Sequence, residues 1–289
     1  MKVEVVTDIR NTLGESPAWS ARERALYWVD IPEKSLFKQS QTALESWELP
    51  ELVSAVAPRA SGGVILTLAQ RVVSFDPKTG ALETLCRPDP KAQNRSNDAR
   101  CDALGRLWLG TMQNNFDPNG DGQEITQTSG SLFRINPDSS SLELLSNIGI
   151  TNGLAWSPDA KTMYLADSMT TQIDAFDFDL KQGLISNRRL FANFERGVPD
   201  GSSIDNEGFL WNARWGAGCL VRFDPNGKVD RVIELPVTQP SSCSFGGHNL
   251  ETLYVTSARM GLSNPNSFDG ALLALEVGVR GFVSPEFAG

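Results

Sequence analysis

Four oxygen-bearing side chains stand at matching positions ahead of an aromatic residue in this chain of 289 residues. The pairs, separated by 11 to 13 residues, are Glu15 with Trp28, Asn97 with Trp108, Asn152 with Tyr164 and Asp200 with Trp211. Sites built only from oxygen donors suit hard cations such as Ca²⁺, Mg²⁺ and Mn²⁺. Two carboxylates balance the charge of a divalent ion, whereas without a cation they would repel each other and be costly to bury. Together the four residues predict a metal site, although each one alone could simply cap a turn.

The elements that must position these side chains follow from a sequence repeat. Its anchors lie 38 to 56 residues apart and are Trp28, Leu66, Trp108, Tyr164, Trp211 and Tyr254. A second motif falls between the anchors and is typical of a β-hairpin, as in SFDPKTGAL from Ser74 and RFDPNGKV from Arg222. Repeats of about 40 to 50 residues are typical of propeller blades. The sequence therefore predicts an all-β, six-bladed β-propeller with four antiparallel strands in each blade, rather than two stacked β-sandwiches.

This architecture brings distant residues together. The innermost strand of each blade lines a central channel, so equivalent residues of successive repeats converge on one axis. We expect the segment 3–7 to pair with the strand-like segment from Gly270, since an open ring would expose unpaired backbone groups. The whole chain, residues 1–289, is then one propeller domain.

Five motifs also resemble the senescence marker protein/gluconolactonase/regucalcin-like family of sugar lactonases. They are LGESPAW at Leu13, RSNDARCDALGRLWLGTM at Arg95, TNGLAWSPDAKTMYLADS at Thr151, VPDGSSIDNEGFLWNARW at Val198 and CSFGGHNLETLYVTSAR at Cys243. The resemblance covers nearly the whole chain and implies a six-bladed propeller that hydrolyses lactones with a bound metal.

The resemblance also implies roles for individual residues. Glu15, Asn152 and Asp200 match the metal ligands of the family, and Asp200 matches the proposed general base. Arg95 and Asn97 match its substrate-binding pair, with Asn97 as a possible further ligand. Animal members carry a substrate-contacting glutamate where this chain has Asn115, so the preferred substrate is expected to differ.

The predicted function is metal-dependent hydrolysis of a sugar lactone to the open-chain acid. The substrate would be an aldonolactone such as gluconolactone, or the lactone of an aldaric acid. Ca²⁺ is the expected ion, with Zn²⁺, Mn²⁺, Mg²⁺ and Fe²⁺ as other candidates. Two alternatives stay open: a phosphotriesterase-type hydrolase on the same site, and a calcium-binding propeller without catalytic activity. A serine triad is not expected, because the chain has one histidine, His248, which is predicted to lie in a loop, and no GxSxG motif.

The segment 114–128 contains the acidic sequence DPNGDG. Asp117, Asn119, Asp121 and Gly122 fit the start of an EF-hand loop, but Thr128 stands where that loop requires a bidentate glutamate. We expect a lid over the mouth of the channel, with weak calcium binding at the surface as the alternative.

Charge and composition limit the classes of partner that this protein is expected to bind. The net charge of −9 disfavours nucleic acid, and the chain has no apolar run of 18 residues that could cross a membrane. The N-terminus reads as a strand and not as a signal peptide, and the four cysteines form no CxxC motif. We therefore expect a cytoplasmic protein with free thiols, a monomer or weak homodimer, whose partner is a small sugar lactone.

Overall fold

The fold is a six-bladed β-propeller of four-stranded antiparallel sheets, as the repeat predicts. The computed structural model describes residues 2–117 and 120–289. The first three blades contain β2 (Gly14–Ser20), β3 (Ala25–Asp30), β4 (Ser35–Gln39) and β5 (Leu44–Glu48); β6 (Val53–Pro58), β7 (Val64–Leu68), β8 (Val72–Asp76) and β9 (Ala81–Cys86); and β10 (Asn94–Cys101), β11 (Leu107–Gln113), β12 (Gly130–Ile135) and β13 (Ser141–Ile148). In the described part of the chain no helix is long and apolar enough to span a membrane.

The sixth blade closes the ring with strands from both ends of the chain, as expected. In it β1 (Val3–Val5) pairs with β24 (Leu273–Glu276), which continues to β23 (Thr252–Ala258) and β22 (Gln239–Gly246). Blades four and five contain β14 (Thr151–Trp156), β15 (Thr162–Asp167), β16 (Gln172–Asp179) and β17 (Leu184–Asn193); and β18 (Val198–Ile204), β19 (Leu210–Trp215), β20 (Cys219–Phe223) and β21 (Val229–Glu234).

The predicted anchors all lie on the second strand of a blade, and they supply much of the core. Trp28, Trp108 and Trp211 are fully buried. The indole nitrogens of Trp108 and Trp211 each donate a hydrogen bond of 2.8 Å to a buried aspartate. The apolar clusters form between neighbouring blades, so packing one sheet against the next holds the ring together.

Each innermost strand carries a β-bulge near its first residues. The register shifts lie at Glu15/Ala18, Val53/Ala55, Ser96/Ala99, Asn152/Ala155, Pro199/Ser202 and Pro240/Ser242. A bulge inserts an extra residue and re-aims the side chains beside it. Glu15, Asn97, Asn152 and Asp200 lie within these strands, at the bulges.

Candidate functional site

The channel site is defined here by Glu15, Arg95, Asn97, Asn152 and Asp200, which four blades contribute. These residues lie on the innermost strands β2, β10, β14 and β18. The bulges of the two other blades carry Ser54 and Ser241, so the sequence analysis had selected the blades whose bulges carry carboxylate or amide groups.

A chain of hydrogen bonds joins three of these blades. The Asn97 Nδ2 donates to the Asn152 Oδ1 at 2.8 Å, and the Asn152 Nδ2 donates to the Ser168 Oγ at 2.9 Å. The Ser168 hydroxyl in turn donates to the carbonyl of Pro199 at 2.6 Å, directly before Asp200. Both Asn152 and Asp200 are buried, with 6% and 7% of their surface exposed. One chain of hydrogen bonds therefore links Asn97, Asn152 and the backbone directly before Asp200.

Ser168 is a positioning residue that the sequence analysis missed. It ends the quoted motif TNGLAWSPDAKTMYLADS, where its hydroxyl gave no sign of a partner on another blade. Its contacts depend on how β15 packs against β18, which the spacing of residues within one repeat does not specify.

Arg95 is buried, with 4% of its surface exposed, and has no carboxylate partner among the described residues. Its Nε donates to the Asn115 Oδ1 at 2.9 Å, and its Nη1 donates to the Asn97 Oδ1 at 2.9 Å and to the carbonyl of Ser96 at 2.8 Å. The ring of Phe116 lies 5.3 Å from the guanidinium carbon. Arg95, Asn97 and Asn115 thus form one contiguous polar wall.

Burial and neighbouring acids raise the pKa of Glu15 and Asp200 in the channel. Burial raises the pKa of Glu15, and the neighbouring charge of Asp98 raises it further. Burial also raises the pKa of Asp200 well above its usual range, followed by the charges of Glu15 and Asp98. Burial lowers the pKa of Arg95 to about 10, against the opposing influence of Glu15 and Asp200. In the absence of a cation, the site disfavours the ionised form of its acids.

Asp98 is the third carboxylate of this group and was not predicted. The Leu154 backbone N–H donates to its Oδ2 at 3.0 Å, which links blade three to the strand that carries Asn152. The alternation of a regular strand would send Asp98 to the face opposite Asn97. The bulge between Ser96 and Ala99 breaks that alternation, and the residue next to Asn97 acts on the same site.

Arg100 spans the channel below these acids. Its Nη2 donates to the carbonyl of Cys243 at 3.3 Å, which joins blade three to blade six on the opposite side of the ring. Its charge lowers the pKa of Asp98, against the larger raising effect of burial. Arg100 therefore separates the channel site from the opposite end of the propeller.

The donor set fits a hard divalent cation held by Glu15, Asn152 and Asp200. Neither carboxylate forms an ion pair within the described residues, although the charge of Arg95 acts on both. No group of three or more histidine, cysteine or acidic side chains in the described chain is arranged to hold a metal ion. The set therefore depends on the amide oxygen of Asn152 as the neutral donor. The Asn97 Oδ1 accepts from Arg95 and the Asn152 Oδ1 accepts from Asn97, and each amide oxygen keeps a second lone pair.

The segment after β11 crosses towards blade one. Phe116, only 5% exposed, packs in the same apolar cluster as Leu13 and Ala258, with Met260 against it. The lid over the mouth of the channel stays a prediction. In the acidic turn that follows, the Asp121 backbone N–H donates to the Asp117 Oδ1 at 2.9 Å, while Asn119 of the EF-hand comparison lies outside the described residues.

Two smaller predictions are also confirmed. His248 lies exposed in the loop between β22 and β23, and Cys86, Cys101, Cys219 and Cys243 are free.

Known proteins are similar to this chain over its whole length. Residues 13–259 match the family model described as SMP-30/Gluconolactonase/LRE-like region. Regucalcin of Gallus gallus is 36% identical over 300 residues, covering 100% of this chain and 99% of that protein, and regucalcin of Bos taurus is 38% identical over 274 residues, covering 91% and 89%.

Solved structures of other proteins have the same fold. A luciferin-regenerating enzyme superposes with a TM-score of 0.91 at 31% identity, covering 100% of this chain and 99% of that chain. A calcium-binding protein, regucalcin, from Agrobacterium tumefaciens gives a TM-score of 0.90 at 27% identity, covering 99% and 97%. The chain therefore belongs to the SMP-30/gluconolactonase/LRE-like family.

Proposed function

We propose that this protein is a metal-dependent hydrolase of sugar lactones, with Glu15, Asn152 and Asp200 as the metal ligands. The observation that carries the proposal is a group of neighbouring acids: Asp98 raises the pKa of Glu15, Glu15 and Asp98 raise the pKa of Asp200, and neither Glu15 nor Asp200 forms an ion pair in the described chain. A bound divalent cation would remove that repulsion, polarise the lactone carbonyl and favour ionisation of water at the site. The family name and the calcium-binding relative support the same reading.

The side chains of this protein supply the remaining steps. Asp200 orients the attacking water and accepts its proton as the new bond forms between the water oxygen and the carbonyl carbon. The bond from that carbon to the ring oxygen then breaks, and the ring oxygen takes up the proton as a hydroxyl group. The product is the open-chain sugar acid.

Arg95, Asn97 and Asn115 form the wall that positions the substrate. The Nε and Nη1 of Arg95 are held by the protein, and its Nη2 makes no hydrogen bond within the described chain. That nitrogen is therefore available to substrate oxygens. Phe116 lies over the guanidinium and limits the access of bulk water.

The deciding experiment is a pH-drop assay on a panel of aldonic and aldaric lactones, after metal removal and after stepwise addition of Ca²⁺, Mn²⁺, Zn²⁺ or Mg²⁺. We expect lactone hydrolysis that is lost with EDTA and restored by one of these ions. A phosphotriester is assayed in parallel, because its exclusive turnover would assign the site to the alternative hydrolase. Metal binding by calorimetry without turnover of any substrate would indicate a non-catalytic calcium-binding propeller.

A substitution at Arg95 tests which groups of the substrate the wall recognises. Arg95→Gln keeps a polar side chain but loses the charge, so we expect KM to rise more for lactones that carry a carboxylate than for neutral ones. The KM values of the two lactone classes are compared in the same variant. An equal rise for both would assign Arg95 to the recognition of hydroxyl groups.

A further inference from the structure

A second cavity lies at the end of the propeller opposite the channel site. It has a volume of about 240 Å³ and is called the lower cavity here, with Arg100, Trp156, Ser203, Phe282, Val283 and Pro285 among its lining residues. Trp156 and Ile204, beside Ser203, end the innermost strands β14 and β18, whereas Asn152 and Asp200 lie near the beginnings of those strands. The lower cavity is therefore separate from the proposed catalytic site.

The walls of the lower cavity are mainly apolar. The C-terminal segment forms one wall, where Phe282 and Val283 remain 43% and 56% exposed. This segment is fixed on both sides: the Gly281 N–H donates to the carbonyl of Leu250, and the Phe287 N–H donates to that of Pro58. The cavity is thus a defined part of the fold, and its apolar surface would favour an apolar ligand body.

Polar groups in the same cavity lack partners. The Trp156 indole nitrogen is buried with no hydrogen-bond partner. Ser203 is only 5% exposed and pairs through its backbone with Trp211, while its hydroxyl makes no hydrogen bond in the described chain. Arg100 donates its single hydrogen bond there to the carbonyl of Cys243, at 3.3 Å. A guanidinium has five N–H donors, so most of those of Arg100 are unused.

The positive charge of Arg100 is not neutralised by an ion pair within the described chain. Asp98 lies close enough for Arg100 to affect its pKa, but it forms no ion pair with Arg100 and accepts the Leu154 N–H instead. Glu286, on the C-terminal segment, pairs with Arg22 at 3.9 Å. A cation with unused donors beside an apolar wall is complementary to a carboxylate attached to an apolar group.

We propose that the lower cavity is a binding site for a small organic carboxylate with an apolar body. The carboxylate pairs with Arg100, the Ser203 hydroxyl and the Trp156 indole provide further hydrogen bonds, and the apolar part packs against Phe282 and Val283. This site is spatially separate from the channel site.

Calorimetric titration of the full chain with benzoate tests the proposal, with benzamide as a neutral compound of similar shape. We expect saturable binding of benzoate and at least about tenfold weaker binding of benzamide, because a hydrogen-bonded charge pair is lost. Arg100→Met should weaken benzoate binding by a similar factor. Arg280→Met is the matched control, since Arg280 is exposed on the same end of the propeller and outside the cavity lining; it should leave the affinity unchanged.

A second variant keeps the test decisive if Arg100→Met does not fold. Ser284 lines the cavity on the C-terminal segment, so Ser284→Trp should fill the space and abolish benzoate binding. The titrations are repeated with metal-free and calcium-saturated protein, and both should give the same affinity. Equal binding of benzamide, an unchanged affinity in both variants, or binding that requires the metal would overturn the proposal.

Discussion

Asp200 combines a buried carboxylate with a position between two other acids. Burial is the largest cause of its raised pKa, and Glu15 and Asp98 add to it. Asp200 therefore destabilises the metal-free fold and is well placed to bind a cation. Arg214, which is fully buried, contributes a positive charge near Asp200, but it donates its hydrogen bonds to backbone carbonyls and to Asn212.

The first prediction concerns Asp200→Ala. We expect kcat to fall by at least about 100-fold, since a positioned proton acceptor contributes about 10²- to 10⁴-fold. The metal-free variant should unfold at a temperature no lower than the parent protein, because a repelling buried charge has been removed. Circular dichroism and thermal unfolding without metal check the fold. Near-normal turnover by this variant would remove Asp200 from the mechanism.

A second prediction follows from the raised pKa of Glu15 and Asp200. An acid whose pKa is higher in the folded state favours folding at low pH, and this contribution is lost as pH rises through the folded pKa. The metal-free protein should therefore lose stability as pH rises above about 4.3, the ordinary pKa of glutamate. Calcium should reduce this loss, because it offsets the charge of the ionised carboxylates.

Urea unfolding between pH 5 and pH 8, with and without calcium, measures that dependence. Glu15→Gln should flatten the metal-free profile and weaken calcium binding, since it removes one of the two balancing charges. Glu83→Gln is the control, because Glu83 is exposed on β9, the outermost strand of its blade. A pH dependence equal in the parent and in Glu15→Gln would argue against Glu15 as its source.

At the scale of the element, the bulges decide which side chains face the channel. The bulge of β14 contains Gly153, with a φ of +67°. A Cβ at this position would lie 3.0 Å from the Ser202 Oγ and 3.1 Å from the carbonyl oxygen of Asp200. The backbone of blade four therefore approaches blade five so closely that a side chain does not fit between them.

The third prediction is that Gly153→Ala destabilises the protein by about 1 to 3 kcal/mol, the usual range for a strained backbone position. It should also weaken metal binding, because the displaced bulge carries Asn152. Gly216→Ala is the matched control: its φ is +76°, but a Cβ there meets no atom within 4 Å. Urea unfolding and calcium titration of both variants separate the cost of the φ angle from the cost of crowding. Equal effects in the two would show that contact with blade five is unimportant.

At the scale of the whole molecule, ring closure joins the two ends of the chain. Strand β1 lies antiparallel to β24, with Glu4 opposite Ala274. Leu273 and Leu275 of β24 are fully buried. Loss of β1 would leave the edge of β24 unpaired, and such an edge favours association with other chains.

The fourth prediction is that Glu4→Pro lowers the unfolding temperature and promotes aggregation, since proline cannot donate a hydrogen bond to a neighbouring strand. Glu4→Ala is the control, because it removes only the exposed ion pair with Lys2. If residues 1–289 form one domain, as proposed, calorimetry should show a single transition that moves as a whole in the proline variant. A second transition, or an unfolding temperature equal to that of Glu4→Ala, would contradict this view of the ring.

The sequence by itself determined the architecture and the main members of the channel site. The repeat of anchor residues specifies the number of blades, because each blade carries one anchor at the same place in its second strand. The ring then forces Glu15, Asn97, Asn152 and Asp200 towards one axis, whatever their separation along the chain.

Only the tertiary structure decided the contacts between blades. Asp98 joins the site because a bulge cancels the alternation of the strand, and Ser168 joins it because β15 packs against β18. Arg100 reaches the opposite blade, so no local pattern could assign its partner. Spacing within a repeat specifies which strand a residue occupies, whereas the direction of its side chain depends on bulges and on neighbours that are distant in the sequence.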